Sequence, residues 1–573
     1  MLEITEGPII INIEEKYENE FVVFSELPIN FNLKPVEENN VTSNNKNSKN
    51  NYLFKLFPGS LVEIEDCDIS CNNSNKNTKV ICFQVNSKIS YKNQPSEAVI
   101  FEKNDLRNSS ILSKPNNVIK PELSLNISIL TLRCSKITNF YQSIRAGENV
   151  ILDIDRCFIN NNIGKAVVIL NPIIAKIVES TFESNMENAI HIKFIKDEFI
   201  SFDTRKLYFD KNEIMYNFGY GIYIDGIENF YFDINISVLN NNFKKNRYDG
   251  LFLSDLYVNS LIIEGNNFKE NKSNGLNMQK LNRCGNNSIL SNINNNHLNI
   301  NNSGSSNNNQ LSHNKESPTI IVKNNNFSDS EGFGVFMNDC RAIFVNNDFM
   351  RNKASGIILC NINFYELYKE TKSTNLNNSS TMDQGTSYIQ YCNFVKNGGS
   401  GIKVFNYSFN TAIFNTKMIE NCEFGLHIEN EIMSDSNLKT NKNALSKSHE
   451  NSNTSSESIY VYLKNSQISS NMKSGISLIN SLLSIENTEV SNNLDYAVLI
   501  PKEENQQYIQ FVDNSLGHKM IHGNIGGPWG EINITNKKSC TSCTSTTQKV
   551  KKIKLFMPKI VEESPRKANS DIA

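Results

Sequence analysis

The sequence has little of what several protein classes require. It holds one Trp among 573 residues, and its net charge at pH 7 is only −3. No run approaches the 18 or more consecutive apolar residues of a membrane-spanning helix, so we expect no membrane partner. Because acidic and basic residues nearly balance, we also expect no nucleic-acid partner, which would need clustered Lys and Arg.

Targeting and crosslinking signals are also missing. Residues 1–6 carry acids where a secretory signal needs a basic segment and an apolar core. The 12 Cys lack the dense, paired spacing of a disulfide scaffold. We therefore expect a cytoplasmic protein whose Cys are reduced, with no cofactor. Cys540 and Cys543 form a single CxxC, a weak candidate for zinc because no second pair lies nearby.

What the sequence does contain is a repeated frame. An aromatic or β-branched anchor is followed by Asn at +3, by Gly or Ala at +7 and by aliphatic residues at +8 and +10, as in Phe243, Asn246, Gly250, Leu251 and Leu253. The anchors are Phe158, Phe182, Ile214, Phe243, Phe268, Phe327, Phe349, Phe394, Ile419, Ile468 and Val490, with weaker copies at Ile69 and Ile137. By subtraction, the shortest step is 22 residues, and longer steps contain insertions. Such a frame is typical of a stacked repeat protein.

The frame predicts short strands and a polar ladder. Aliphatic residues also alternate before the anchors, so period two on both sides indicates at least two strands per unit. The corner Asn tolerates left-handed backbone geometry, and its amide can bond the Asn of the next unit. The predicted ladder comprises Asn161, Asn185, Asn217, Asn246, Asn271, Asn352, Asn397, Asn471 and Asn493. Ser330 and Cys422 stand in the other two units, where we expect the ladder to break.

These residues resemble the right-handed parallel β-helix of pectate-lyase-like proteins, over about residues 60–500. The resemblance implies an all-β solenoid of about 11 to 13 coils. A leucine-rich repeat is the nearest alternative, but its Leu residues precede an Asn, whereas here the aliphatic pair follows. The predicted segments are an N-terminal cap or degenerate coils with an Asn-rich linker (1–53), the β-helix (54–505), a C-terminal cap (506–536) and a disordered tail (537–573). Insertions at 285–317, 366–386 and 431–458 are Asn- and Ser-rich and predict disordered loops.

Catalysis on such a coil would need acids on adjacent units. A lyase needs several carboxylates for calcium and a base, and a glycosidase needs a carboxylate pair about 5–9.5 Å apart. The outward positions at +9 and +11 place no two acids together. Asp155 and Glu179, both at −3, are the best pair, and a solvated turn accounts for them. We therefore predict no catalytic residues.

The same outward positions carry aromatic and aliphatic side chains. They form a predicted partner-binding stripe of His191, Tyr223, Phe252, Phe336, Ile358, Lys403 and His427. Apolar stripes on soluble proteins mark partner sites, unless a loop or the tail packs over them. Both outcomes stay open from the sequence.

A second resemblance suggests a function. The Asn-Asn-Phe corners at 241–243 and 266–268, without a catalytic cluster, are similar to the β-helix region of F-box/β-helix ubiquitin-ligase adaptors and of the Shc SH2-domain-binding protein group. That resemblance implies a monomeric, non-catalytic protein-interaction scaffold that recognises substrates in ubiquitin-dependent regulation, although no F-box precedes the first coil. The alternative is a carbohydrate-active enzyme or sugar-binding module of pectate-lyase-like fold.

Overall fold

A computed structural model describes the residues from which the architecture follows. They are 2–3, 21–24, 29–31, 51–56, 61–65, 67–71, 80–85, 88–91, 123–195, 205–227, 234–281, 319–361, 386–407, 409–430, 460–479, 481–501, 509–511, 521–522, 524 and 526–532. Most of the predicted disordered loops, the tail and the CxxC lie outside these residues. None of the described residues belongs to a helix long and apolar enough to cross a membrane.

The chain winds through three parallel sheets of 16, 15 and 15 strands. The first sheet contains Leu2–Glu3, Phe21–Phe24, Leu61–Glu65, Ile129–Arg133, Ile151–Asp155, Ile174–Val178, Arg205–Asp210, Ile234–Leu239, Ser260–Glu264, Thr319–Lys323, Ile343–Val345, Thr386–Gln390, Asn410–Phe414, Tyr460–Lys464, Leu482–Glu486 and Ile509–Phe511. The second contains Ile29–Phe31, Asp68–Cys71, Lys136–Thr138, Phe158–Asn160, Thr181–Glu183, Glu213–Met215, Asn242–Lys244, Asn267–Lys269, Asn326–Ser328, Asp348–Met350, Asn393–Val395, Lys417–Ile419, Gln467–Ser469, Glu489–Ser491 and Ile521–His522.

The third sheet contains Asn51–Leu56, Val80–Val85, Gln142–Ala146, Val167–Leu170, Ile190–Lys193, Ile222–Asp225, Leu251–Ser254, Leu276–Gln279, Val335–Asn338, Ile357–Cys360, Ile402–Phe405, Leu426–Glu429, Ile476–Ile479, Tyr496–Pro501 and Gly527–Ile532. A separate antiparallel pair joins Lys88–Tyr91 to Leu123–Asn126. Each coil therefore supplies three strands, which agrees with the predicted minimum of two, and the anchor lies on a short strand of its own. The predicted right-handed parallel β-helix is confirmed.

The core fills with one layer of apolar side chains per coil. In the strands whose burial is described, the side chains that face inward are buried, and the anchors of the second sheet stack on one another. The rings of Phe243, Phe268 and Phe327 lie nearly parallel, with centroids 4.7 and 4.8 Å apart, which matches the spacing of neighbouring strands. The Gly of the frame permits this approach: a Cβ on Gly250 would lie 2.8 Å from the Gly275 carbonyl oxygen and 2.9 Å from the Phe268 ring.

Two anchors are displaced by one residue from their predicted positions. Ile159, not Phe158, pairs with Phe182 and is buried. Met418, not Ile419, pairs with Phe394. In each case the predicted anchor and its neighbour are both apolar. The alternation of apolar residues alone therefore could not show which of the two faces inward. The pairing of adjacent coils decides which one enters the core.

The same displacement corrects the Asn ladder. Asn162, not Asn161, donates its amide to Asn185 Oδ1 at 2.7 Å, and Asn161 is exposed with a positive φ. Asn421 continues the ladder between Asn397 and Asn471, so Cys422 breaks nothing. From Asn185 to Asn271 each amide bonds the next, and bonds also join Asn352 to Asn397 and Asn471 to Asn493. Ser330 does interrupt the ladder, because its hydroxyl has no hydrogen-bond partner.

A second Asn ladder lies at the corner between the first and second sheets. The sequence prediction did not include it. Its amides bond one another at 2.9 to 3.0 Å through Asn212, Asn241, Asn266, Asn325 and Asn347. The first Asn of each Asn-Asn-Phe corner is therefore a buried structural residue.

Asp155 and Glu179 do not form a carboxylate pair. Asp155 lies opposite Val178 in the first sheet, and its carboxylate pairs with Arg156 at 3.1 Å. Glu179 pairs with Lys211 at 3.0 Å. Each acid forms an ion pair with a basic residue at a turn. The best candidate of the sequence for a catalytic carboxylate pair is therefore not formed.

Candidate partner-binding face

The predicted stripe forms one row on the outer face of the third sheet. Strand pairing places its members in register along neighbouring coils, with Asn277 between Phe252 and Phe336. Tyr223, Phe252, Phe336 and Lys403 are half-buried, whereas His191, Ile358 and His427 are buried. The row is therefore not a continuous open stripe. Its aromatic residues divide into separate groups.

The largest group is a packed cluster of four rings that we term the aromatic platform: Tyr220, Tyr223, Tyr248 and Phe252. The Tyr220 ring lies 5.1 Å from Tyr223, 5.1 Å from Tyr248 and 5.2 Å from Phe252, centroid to centroid. Tyr248 is 47% exposed. The rings come from two adjacent coils and from three different positions of the repeat. They form a broad surface with an apolar body and phenol edges.

The phenols of Tyr220 and Tyr223 stay protonated over the physiological range. Burial, and secondarily the Asp225 carboxylate, raises the pKa of Tyr223 to about 12. Burial and Asp249 raise the pKa of Tyr220 as well. The protonated phenol of Tyr220 can therefore donate a hydrogen bond to a partner, whereas that of Tyr223 already contacts the Ser254 side chain. Tyr and Trp serve interfaces well for this reason, since one end is apolar and the other polar.

A chain of polar contacts supports one edge of the platform. Lys165 Nζ lies 2.8 Å from His191 Nδ1, and His191 Nε2 lies 2.8 Å from Asp225 Oδ1. Because an ammonium group only donates, Nδ1 accepts and Nε2 carries the proton. The imidazole stacks on Tyr223 with centroids 4.7 Å apart. Both ring nitrogens are engaged, so this His positions the platform and offers no free base.

A buried acid supports the other edge. Asp249 follows Tyr248, and its carboxylate accepts bonds from the Asn274 amide nitrogen at 2.7 Å and from Asn277 Nδ2 at 2.9 Å. Burial is the largest influence on this group and raises the pKa of Asp249. These bonds hold the turn that carries Tyr248 against the next coil. Both carboxylate oxygens of Asp249 are thus occupied by hydrogen bonds within the protein.

The distal part of the row has smaller aromatic contacts. The His427 ring stacks on Phe424 with centroids 5.1 Å apart, and its Nε2 lies 3.2 Å from Glu429 Oε2. That hydrogen bond lowers the pKa of Glu429. Lys403 Nζ lies 5.6 Å from the centre of the Phe405 ring. These residues form pairs rather than a surface comparable with the platform.

An exposed apolar row beside the platform was missed in the sequence. We term it the corner ridge: Ile163, Met186 and Phe218, which are 48%, 56% and 47% exposed. Each follows a ladder Asn, and each backbone N–H bonds a carbonyl oxygen one coil back. The signal was present, since three successive units carry a large apolar residue directly after the Asn. These residues lie in the turn between the Asn and the Gly or Ala of the frame, outside the strand that carries the predicted stripe.

Metal and redox chemistry find little support in the described residues. No group of three or more His, Cys, Asp or Glu side chains in that part of the chain could hold a metal ion. The eight described Cys are free thiols. Burial raises the pKa of Cys157, Cys360 and Cys392 to about 12, so these thiols are inert fillers of the coil. Cys540 and Cys543 lie outside the described residues.

Comparison with known proteins adds only a likeness of fold. No family model matches the sequence, and no curated protein matches it. Among solved structures, the chain is similar to the A-module of the mannuronan C-5 epimerase AlgE4 of Azotobacter vinelandii, at 11% identity and a TM-score of 0.23. The match covers 70% of this chain and 89% of that one. No function is transferred from it.

Proposed function

We propose that this protein is a non-catalytic scaffold that binds a protein partner through the aromatic platform. The packed cluster of Tyr220, Tyr223, Tyr248 and Phe252 is the observation that carries the proposal. Clustered aromatic rings with free polar edges supply much of the binding energy of protein interfaces. The β-helix supplies a rigid support, because every platform residue is fixed by strands or turns of adjacent coils.

The polar groups around the platform favour binding over catalysis. The nitrogens of His191 and the oxygens of Asp249 are already bonded within the protein. A general base or a nucleophile needs a free atom that reaches a substrate. The alternative, a carbohydrate-active enzyme, would need several unpaired carboxylates close together. The described residues of this face include no such group.

A finer form of the proposal concerns the setting in which the scaffold works. Substrate recognition in ubiquitin-dependent regulation is supported only by the similarity of the Asn-Asn-Phe corners to the adaptors. We propose that the protein acts as a monomer in the cytoplasm. Recovery of ubiquitin-ligase subunits together with the partner would test this form separately.

Affinity purification with matched variants tests the proposal. The full-length protein, a Tyr223→Ala/Phe252→Ala double variant and a Tyr208→Ala control are used in parallel. Tyr208 is also a half-buried outward Tyr, but it lies on the first sheet. We expect a partner that binds the wild type and the control directly when purified, and binds the double variant about 30-fold more weakly, as for an interface hot spot. Equal binding by all three, or cleavage of a polysaccharide by the purified protein, would overturn the proposal.

A further inference from the structure

The corner ridge indicates which secondary structure the partner of this scaffold presents. We infer that Ile163, Met186 and Phe218 bind one face of an amphipathic helix that lies along the stacking direction of the coils. The inference rests on the proposed function, since it assumes a protein partner, but it concerns a different row of residues. The argument comes from spacing, from the surrounding aromatic surface and from charge.

The spacing of the ridge fits a helix better than a strand. Neighbouring strands are about 4.8 Å apart, so three residues on successive coils span about 9.6 Å. Helical residues at i, i+3 or i+4, and i+7 span about 10.5 Å at 1.5 Å per residue. Alternate residues of an extended strand, i, i+2 and i+4, span about 13 Å. Their side chains would therefore not stay opposite ridge residues that are about 4.8 Å apart. Only the helix presents three apolar side chains at the interval of the ridge.

Exposed aromatic side chains widen the ridge near Phe218. Tyr216, two residues earlier, is 40% exposed, and Tyr248 on the next coil is 47% exposed. The Tyr248 backbone N–H bonds the carbonyl oxygen of Gly219, the residue after Phe218, and the Tyr248 ring contacts Tyr220, so the ridge borders the aromatic platform. Met186 adds an unbranched side chain, which adapts to the shape of a partner. A helix on the ridge would therefore cover one edge of the platform as well.

Charges near the ridge indicate how the helix is oriented. Arg247 occupies the position of the ridge on the next coil, is exposed and pairs with no acid among the described residues. The following member of the row, Lys272, is already paired with Glu331 at 2.7 Å. Glu187 is exposed beside Met186. The fitting partner carries an acidic residue one turn beyond the apolar residue that packs on Phe218, where it meets Arg247. It carries a basic residue beside the apolar residue that packs on Met186, where it meets Glu187.

Two displayed peptide libraries provide the test. One holds 15-residue helix-forming peptides with all outward positions randomised, and the other holds peptides of strand-forming composition. Both are selected on the full-length protein and measured on purified variants. We expect enrichment of helical peptides with apolar residues at i, i+3 or i+4, and i+7 and with the acid beyond them. Binding should fall about 30-fold in Phe218→Asp and in Met186→Asp.

Control variants make each outcome decisive. Met472 occupies the same row far along the stack and is 59% exposed, so Met472→Asp should bind the selected peptides normally. Arg247→Glu should weaken peptides that carry the acid and should spare those that lack it. Enrichment of alternating strand patterns, or binding that depends on Met472, overturns the inference. Peptides that depend on Tyr223 and Phe252 but not on the ridge overturn it while supporting the proposed function. If no peptide depends on either surface, both fail.

Discussion

Replacing Asn246 by Ala should destabilise the coils on both sides of it. The side chain is fully buried and makes four hydrogen bonds. Its Oδ1 accepts from the Asn217 backbone nitrogen at 3.2 Å and from Asn217 Nδ2 at 3.0 Å. Its Nδ2 donates to the Ile214 carbonyl oxygen at 3.0 Å and to Asn271 Oδ1 at 3.2 Å. One substitution therefore removes contacts to two neighbouring coils.

The expected cost follows from the groups that lose their partners. Asn217 Nδ2 retains the Phe182 carbonyl oxygen, and Asn271 Oδ1 retains the Asn246 backbone N–H. The Asn217 N–H and the Ile214 carbonyl oxygen lose a bond that Ala cannot replace. An unsatisfied buried group costs about 1–3 kcal/mol, so with two such groups the variant should lose about 2–6 kcal/mol. The locally open state should then be populated about 30-fold more or higher, and the amides that it exposes should exchange correspondingly faster.

Hydrogen exchange followed by mass spectrometry measures this effect locally, which suits a repeat protein that need not unfold in one step. Peptides covering 212–225 should exchange faster in Asn246→Ala. The control is Asn242→Ala. The half-buried Asn242 side chain donates to the exposed Glu213 carboxylate at 2.7 Å and accepts from Asn267 Nδ2 at 3.0 Å, and its removal should cost less than that of Asn246 because its partners stay in contact with water. Ser330→Asn should slow exchange by restoring the interrupted ladder. Equal exchange in the Asn246 and Asn242 variants would show that the ladder does not stabilise the stack.

Two further predictions concern the core. Phe268→Asp puts an unpaired charge between the rings of Phe243 and Phe327 and should cost several kcal/mol; a thermal midpoint no lower than that of Phe336→Asp, an outward control, would refute the inward stack. Site-resolved thiol labelling at pH 8 should modify exposed Cys422 quickly and leave Cys157 and Cys392 unmodified until unfolding, because burial raises the pKa of both thiols to about 12. Rapid native-state labelling of Cys392 would contradict its placement in the core.

The sequence predicted the fold because its signals are local and repeated. Alternating apolar residues determine which face of a strand is buried, and Asn and Gly at fixed offsets mark the corners. One-residue errors arose where two neighbouring residues satisfied the same pattern. Ile159 and Phe158 are both apolar, and Asn161 and Asn162 are the same residue type. Such ambiguities are resolved only by the hydrogen bonds of the adjacent coils.

The candidate site could be predicted only in part. The row containing Tyr223 and Phe252 follows from the repeat, since equal offsets meet on adjacent coils. The platform also needs Tyr220 and Tyr248, which come from other offsets and reach the same place because the chain turns beside the sheet. No periodicity connects these positions. Their proximity depends on turn geometry that the repeat leaves unspecified.

By itself, then, the sequence determined the parallel β-helix and most of its inward anchors. The tertiary structure decided the register of two coils and the second Asn ladder. It also decided that His191 and Asp249 are hydrogen-bonded within the protein and that the platform lies beside the corner ridge. The physical reason is the range of the interactions. Alternation and turn preference act within one coil, whereas the side chains that meet on different coils are separated by stretches of sequence whose length varies from coil to coil.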